Sequence, residues 1–197
     1  MSRYIIVAVI VLLVLAEGVY ELKKTGTKPV ATGAYQSSHN RRINGNQFIY
    51  THPQLGYTFE YPAEWKLIQS ESVSDPQQAY LDVTLESPGL RLSPLYSEIE
   101  TGCRITVKSG RTTAEDVNEY IAINSSWRRL AKNTTDAYIA DTKAIQFENG
   151  YEANHTHITV FMKKNTAYVI EYRYADSLAR SENWHIFADI LSSFSTE

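Results

Sequence analysis

Two histidines, His155 and His157, stand one residue apart in the run HTHITVFMKK. Alternation along an extended chain puts both imidazoles on one side of a strand, where they could meet a single metal ion. A zinc site needs three or four ligands, and spacing identifies no third. His185, beside Trp184 near the C-terminus, can be placed only by the folded structure. A second constellation is aromatic: Tyr168, Ile170, Tyr172 and Tyr174 alternate along TAYVIEYRY and share one strand face. Such a face is either core beneath a helix or a surface that docks a partner or a hydrophobic ligand. Cys103 is the single cysteine, so no intramolecular disulfide forms. It alternates with Ile105 and Val107 and reads as a small buried hydrophobe.

Other chemistry leaves no trace in the sequence. There is no Gly-rich phosphate loop, no Gly-x-Ser-x-Gly elbow and no zinc-protease helix. The carboxylates are scattered through strands and turns, and nothing pairs two of them for acid–base work. The expectation is a protein that is not an enzyme and carries no cofactor. With a net charge of −3 over 197 residues, the chain lacks the basic excess or basic stripe of a nucleic-acid binder.

The elements that must position these residues begin after an apolar N-terminus. Residues 4 to 16 are unbroken and almost wholly apolar, preceded by Arg3 and the α-amino group. At about 1.5 Å per residue this run is about 20 Å long, and about 26 Å if it reaches Tyr20. A bilayer core is about 30 Å thick. Residues 1–20 are therefore expected to form a hydrophobic helix, either an uncleaved transmembrane anchor or a signal segment cut after Val14-Leu15-Ala16. A buried helix of a soluble protein is the third reading; the two leading ones export the rest of the chain. They place it at the cell membrane, single-pass with the C-terminal domain outside the cytoplasm, or secreted after cleavage. Contact with the membrane is assigned to residues 4–20. Residues 21–50 are rich in Gly, Ser, Thr and Asn without a sustained period and read as a polar tether.

From residue 51 to 197 the pattern is that of one α+β domain. Tyr57, Phe59 and Tyr61 alternate against Thr58 and Glu60, and Pro62 stops the strand. Phe59 and Trp65 are expected in the core. Leu81, Val83 and Leu85 mark another strand, and CRITVK a further one. A Thr113-x-x-Asp116 start signal predicts a helix over 113–131. Asn149-Gly150 predicts a tight hairpin and Lys164-Asn165 a second turn, giving three consecutive antiparallel strands. Ser181 is the expected cap of a closing helix whose Phe187, Ile190, Leu191 and Phe194 fall at i, i+3, i+4 and i+7.

Gly56, Phe59, Pro62 and Trp65, spaced G-x-x-F-x-x-P-x-x-W, resemble the start of PsbP-like domains. The resemblance runs over about residues 51–196. It takes in the opening hairpin, the Thr/Glu-led helix, the long meander and the closing helix with ILSSF. That family includes an extrinsic protein of photosystem II and bacterial envelope proteins, and it shares its fold with a Ran-binding nuclear transport factor. The resemblance implies an α/β/α sandwich with a central antiparallel sheet. It implies little about activity, since one fold hosts several functions. No photosystem role and no ion-retention residue transfers to this sequence. The functional expectation is a membrane-tethered extracytoplasmic binding or scaffold module with an envelope protein as its partner. The alternatives are a carrier of a small lipophilic ligand on Tyr168, Tyr172 and Tyr174, or a metal-assisted enzyme using His155 and His157.

Overall fold

The computed structural model describes residues 40–71, 81–94, 98–124, 127, 131–149, 155–175 and 177–196. The apolar run, the Ala16 cleavage site and the tether up to residue 39 lie outside them. Among the described residues no helix is long and apolar enough to cross a membrane.

The described residues open with a three-stranded antiparallel sheet, β1 (Asn40–Asn44), β2 (Gln47–Thr51) and β3 (Thr58–Pro62). The strands therefore begin inside the stretch assigned to the tether. Their side chains explain why: Tyr50 is fully buried against Tyr57 and Phe59, so residues 47–51 gain a core that composition alone does not reveal. Between β2 and β3, Gly56 takes φ +68, a conformation that favours glycine, and its N–H donates to the His52 carbonyl at 3.0 Å. After Pro62 the chain turns, with the Trp65 N–H donating to the Pro62 carbonyl at 3.1 Å. Phe59 and Trp65 are both buried, as expected.

The main sheet has seven antiparallel strands: β4 (Lys66–Glu71), β5 (Leu81–Glu86), β8 (Cys103–Arg111), β12 (Thr166–Tyr174), β11 (His155–Lys163), β10 (Thr142–Asn149) and β9 (Ala131–Ile139), in that spatial order. The short pair β6 (Arg91–Leu92) and β7 (Ile99–Thr101) bridges β5 and β8 in sequence. The meander thus has four strands where the sequence pattern predicts three. The extra strand, β9, replaces the last residue of the expected 113–131 helix. It turns into β10 through Ala140 and Asp141, with φ +48 and +59, although neither is glycine or asparagine. The Lys164-Asn165 turn is as predicted, with Lys163 paired to Thr166. At the other predicted hairpin, Asn149 pairs with Thr156, which is too far along the chain for a two-residue Asn149-Gly150 turn. Residues 150–154 lie outside the described set.

Helix α1 (Val117–Ile123) starts one turn later than the signal at Thr113. The Asp116 carboxylate caps it by accepting the Glu119 N–H at 2.9 Å, while the Thr112 hydroxyl holds the Ala114 N–H at 3.1 Å. Helix α2 (Ser177–Ser193) starts before Ser181. The two helices lie on opposite faces of the main sheet. Val117, Tyr120 and Ile121 of α1, with Trp127, pack on Ile145, Phe147, Ile158, Val160 and Val169. On the other face Phe187, Ile190 and Leu191 of α2, with Phe194, pack on Ile105, Val107, Phe161, Tyr168, Ile170 and Tyr172. This is the expected layered α+β arrangement, with strand parity deciding which helix each residue meets.

Candidate functional site

The predicted histidines and tyrosines meet at one corner of the sheet, under the start of α2. Cross-strand register lines up Glu148 of β10, His157 of β11 and Tyr172 of β12, with His155 opposite Tyr174 in the next row. All five point to the α2 side. Helix α2 adds Arg180, Trp184 and Phe187 above them.

Glu148 is the hub. Its Oε1 forms an ion pair with Arg180 Nη2 at 3.2 Å, and His157 Nδ1 lies 3.9 Å from the same oxygen. The second distance is beyond a hydrogen bond. Both imidazole nitrogens of His157 are buried without a hydrogen-bond partner. The ring is wedged edge-on between Trp184, centroids 5.0 Å apart, and Phe187, 5.6 Å apart. The Arg180 guanidinium sits 5.1 Å from the Trp184 ring and 5.9 Å from Tyr174, an arrangement that favours the cation. The Tyr172 hydroxyl donates to the Arg180 carbonyl at 3.2 Å. His155 is exposed and stacks on Tyr174, with planes 11° apart.

Burial sets the electrostatics. It lowers the His157 pKa; the Glu148 charge opposes this and Arg180 adds to it. The same cause raises Tyr172 strongly and Tyr174 more mildly, Arg180 acting against the rise at both. At neutral pH the corner therefore holds a neutral imidazole beside a carboxylate–guanidinium pair. Enclosed by Trp184 and Phe187, that imidazole works as packing more than as a proton carrier or a ligand.

The metal expectation finds little support in this geometry. His155 and His157 do share a face, but His155 stacks at the surface while His157 is wedged under α2. Among the described residues no group of three His, Cys, Asp or Glu could hold a metal ion. His185 lies elsewhere, lining a cleft of about 350 Å³ with Glu64, Trp65, Ser87 and Glu182. Tyr168, Tyr172 and Tyr174 are buried beneath α2, so they form core in place of an open docking face. Cys103 is fully buried, its thiol pushed up to about 11 by that burial.

Sequence reasoning missed Glu148 and Arg180. Glu148 comes opposite His157 because Asn149 pairs with Thr156. A two-residue Asn149-Gly150 turn would have paired Glu148 with Tyr151. Arg180 joins the site because α2 begins a turn before its expected cap.

The fold matches solved structures. The solution structure of cyanobacterial PsbP (CyanoP) from Synechocystis aligns with a TM-score of 0.54 at 13% identity, covering 80% of this chain and 98% of that one. At that identity the likeness is one of fold. A crystal structure from Bacteroides thetaiotaomicron aligns at 10% identity with a TM-score of 0.47, covering 79% of this chain and 49% of that one. No curated protein matches the sequence. The profile of the PsbP-like protein family matches residues 3–196, nearly the whole chain, and the chain belongs to that family.

Proposed function

We propose that this protein is a membrane-tethered, extracytoplasmic binding or scaffold module. The observation that carries the reading is the pairing of an apolar N-terminal run with a PsbP-like domain inside one family match over residues 3–196. Residues 4–20 hold the membrane, residues beyond them act as a tether, and the sheet domain meets an envelope protein. The structure of the domain supports binding over chemistry. Its titratable corner is closed by aromatic rings, and His157 is committed to packing. The carrier alternative has less support, because Phe187, Ile190, Leu191 and Phe194 already fill the tyrosine face on which a lipophilic ligand would sit.

Fractionation of cells expressing the full chain tests the location. The protein is expected in the membrane fraction, with its C-terminal domain open to added protease in spheroplasts. Recovery of the full-length chain in the soluble cytoplasm overturns the reading. Crosslinking in intact cells is then expected to trap one specific envelope protein.

A further inference from the structure

Among the described residues, α1 and Trp127 pack on only part of the side of the main sheet that faces away from α2. Its apolar half, on β10, β11 and part of β12, lies under α1 and Trp127. The other half, on β4, β5, β8 and the end of β12, carries hydrogen-bonding and charged side chains. Register places Lys66, Glu86, Arg104, Arg173 and Thr156 in one row across five strands. The next row holds Thr84, Thr106 and Glu171, and the third Asp82 and Lys108.

Among the described residues, the ion pairs on this face leave out Arg173. Glu86 Oε1 accepts from Arg104 Nη2 at 2.6 Å, and its Oε2 lies 3.4 Å from Lys66 Nζ. Both oxygens of Glu171 accept from Lys108 Nζ at 2.9 Å. Glu86 and Glu171 are thus engaged with other cations, and among the described residues Arg173 has no ion pair. Arg173 also stands directly opposite Arg104 across the β8–β12 ladder. Like charges directly opposite one another weaken a sheet. The Arg104 Nε–H is buried and has no acceptor. Two arginines thus share one ladder position, Arg104 paired to Glu86 and Arg173 without an ion pair among the described residues.

We propose that the Arg104–Arg173 pair is the docking point for a carboxylate side chain on an acidic segment of a protein partner. This assignment rests on the binding-module reading and names the chemistry of its contact. Guanidinium forks match carboxylates in geometry and charge. A carboxylate seated on Arg173 would relieve the Arg104–Arg173 repulsion. The fixed carboxylates Glu86, Glu171 and Asp82 on the same face argue for a discrete protein segment over a uniformly anionic surface, since a bilayer or nucleic acid would meet repulsion at each of them.

The test uses the full chain in detergent micelles with fluorescein-labelled hexaglutamate as the probe, read by fluorescence anisotropy. Binding is expected to weaken tenfold or more in Arg173→Gln, to weaken with salt, and to be unchanged in Arg111→Gln, which alters an arginine at the far end of β8. Arg173→Gln is also expected to keep or raise the Tm, because it removes a like-charge pair without breaking an ion pair. Equal binding by wild type and Arg173→Gln overturns the proposal. So does a drop in Tm that accounts for the lost binding, or loss in Arg173→Gln of binding to phosphatidylglycerol vesicles with no binding of hexaglutamate. Peptide binding in micelles does not depend on where the protein sits in the cell, so failure here and failure of the location experiment are separable.

Discussion

Tyr57 and Phe194 lie face to face, ring centroids 5.2 Å apart and planes 18° from parallel. This contact ties the small sheet to the end of α2. Around it, Thr58 and Ser195 exchange two backbone hydrogen bonds at 2.9 Å, and Ser193 Oγ accepts the Glu60 N–H at 3.0 Å. Phe194 also meets Phe59, Phe161 and Tyr168. Truncation to Phe194→Ala should therefore cost about 3–5 kcal/mol, the range for an aromatic deleted from a core. Urea unfolding of the variant measures it, and a loss below about 1 kcal/mol would show that the two layers are held by other contacts.

The Tyr57 hydroxyl carries the opposite expectation. It lies beside Ser109, yet both oxygens are buried and neither makes a hydrogen bond of sound geometry. Burial pushes the phenol far above its ordinary range. A buried polar group without a partner destabilises, so Tyr57→Phe should leave the Tm unchanged or raise it. A clear fall in Tm would reveal a hydrogen bond to Ser109 that forms in solution.

The His157 corner predicts an acid-sensitive stability. Burial lowers the imidazole pKa in the folded chain relative to the unfolded chain, so the unfolded state binds the proton more readily. The stability this imparts is complete above the unfolded value of about 6.5 and is lost as pH falls towards the lowered folded value. Thermal melts at pH 7.5 and 5.0 should show a larger fall in Tm for wild type than for His157→Leu. Equal falls would assign the acid sensitivity to other groups.

Ala140 and Asp141 turn β9 into β10 with positive φ at both residues. Two-residue turns of this kind favour Asn-Gly. Asp141 is exposed. Asp141→Gly should stabilise the protein by about 0.5–1 kcal/mol through relief of the left-handed conformation. Denaturant melts of both proteins check the sign.

Cys103 is fully buried and its thiol is held protonated by its surroundings. Ellman's reagent should react with it on the timescale of unfolding, and immediately in guanidinium chloride. Rapid labelling of the native protein would contradict the packing around β8.

Local pattern was enough for several elements. Tyr57, Phe59 and Tyr61 announce a strand by period two, Pro62 marks its end, and Gly56 supplies the positive φ of the preceding turn. The order of elements and the G-x-x-F-x-x-P-x-x-W spacing were enough to reach the PsbP-like fold. Phe187, Ile190, Leu191 and Phe194 gave the buried stripe of α2, because a helix repeats every 3.6 residues whatever it packs against.

Other features depended on contacts distant in sequence. The AKNTTDAYI run of β9 has little apolar alternation and becomes a strand by pairing along β10. In place of the two-residue turn that Asn149-Gly150 predicts, Asn149 pairs with Thr156, and that register brings Glu148 opposite His157. Whether the tyrosine face was core or docking surface turned on whether a helix lay over it. Arg173 is an ordinary strand residue in sequence, and its apposition to Arg104 arises because residues 69 apart share a ladder position. Hydrophobic period and turn chemistry are local and can be read along one chain. Cross-strand register and helix placement are set by which distant surfaces bury each other, and only the tertiary structure decides them.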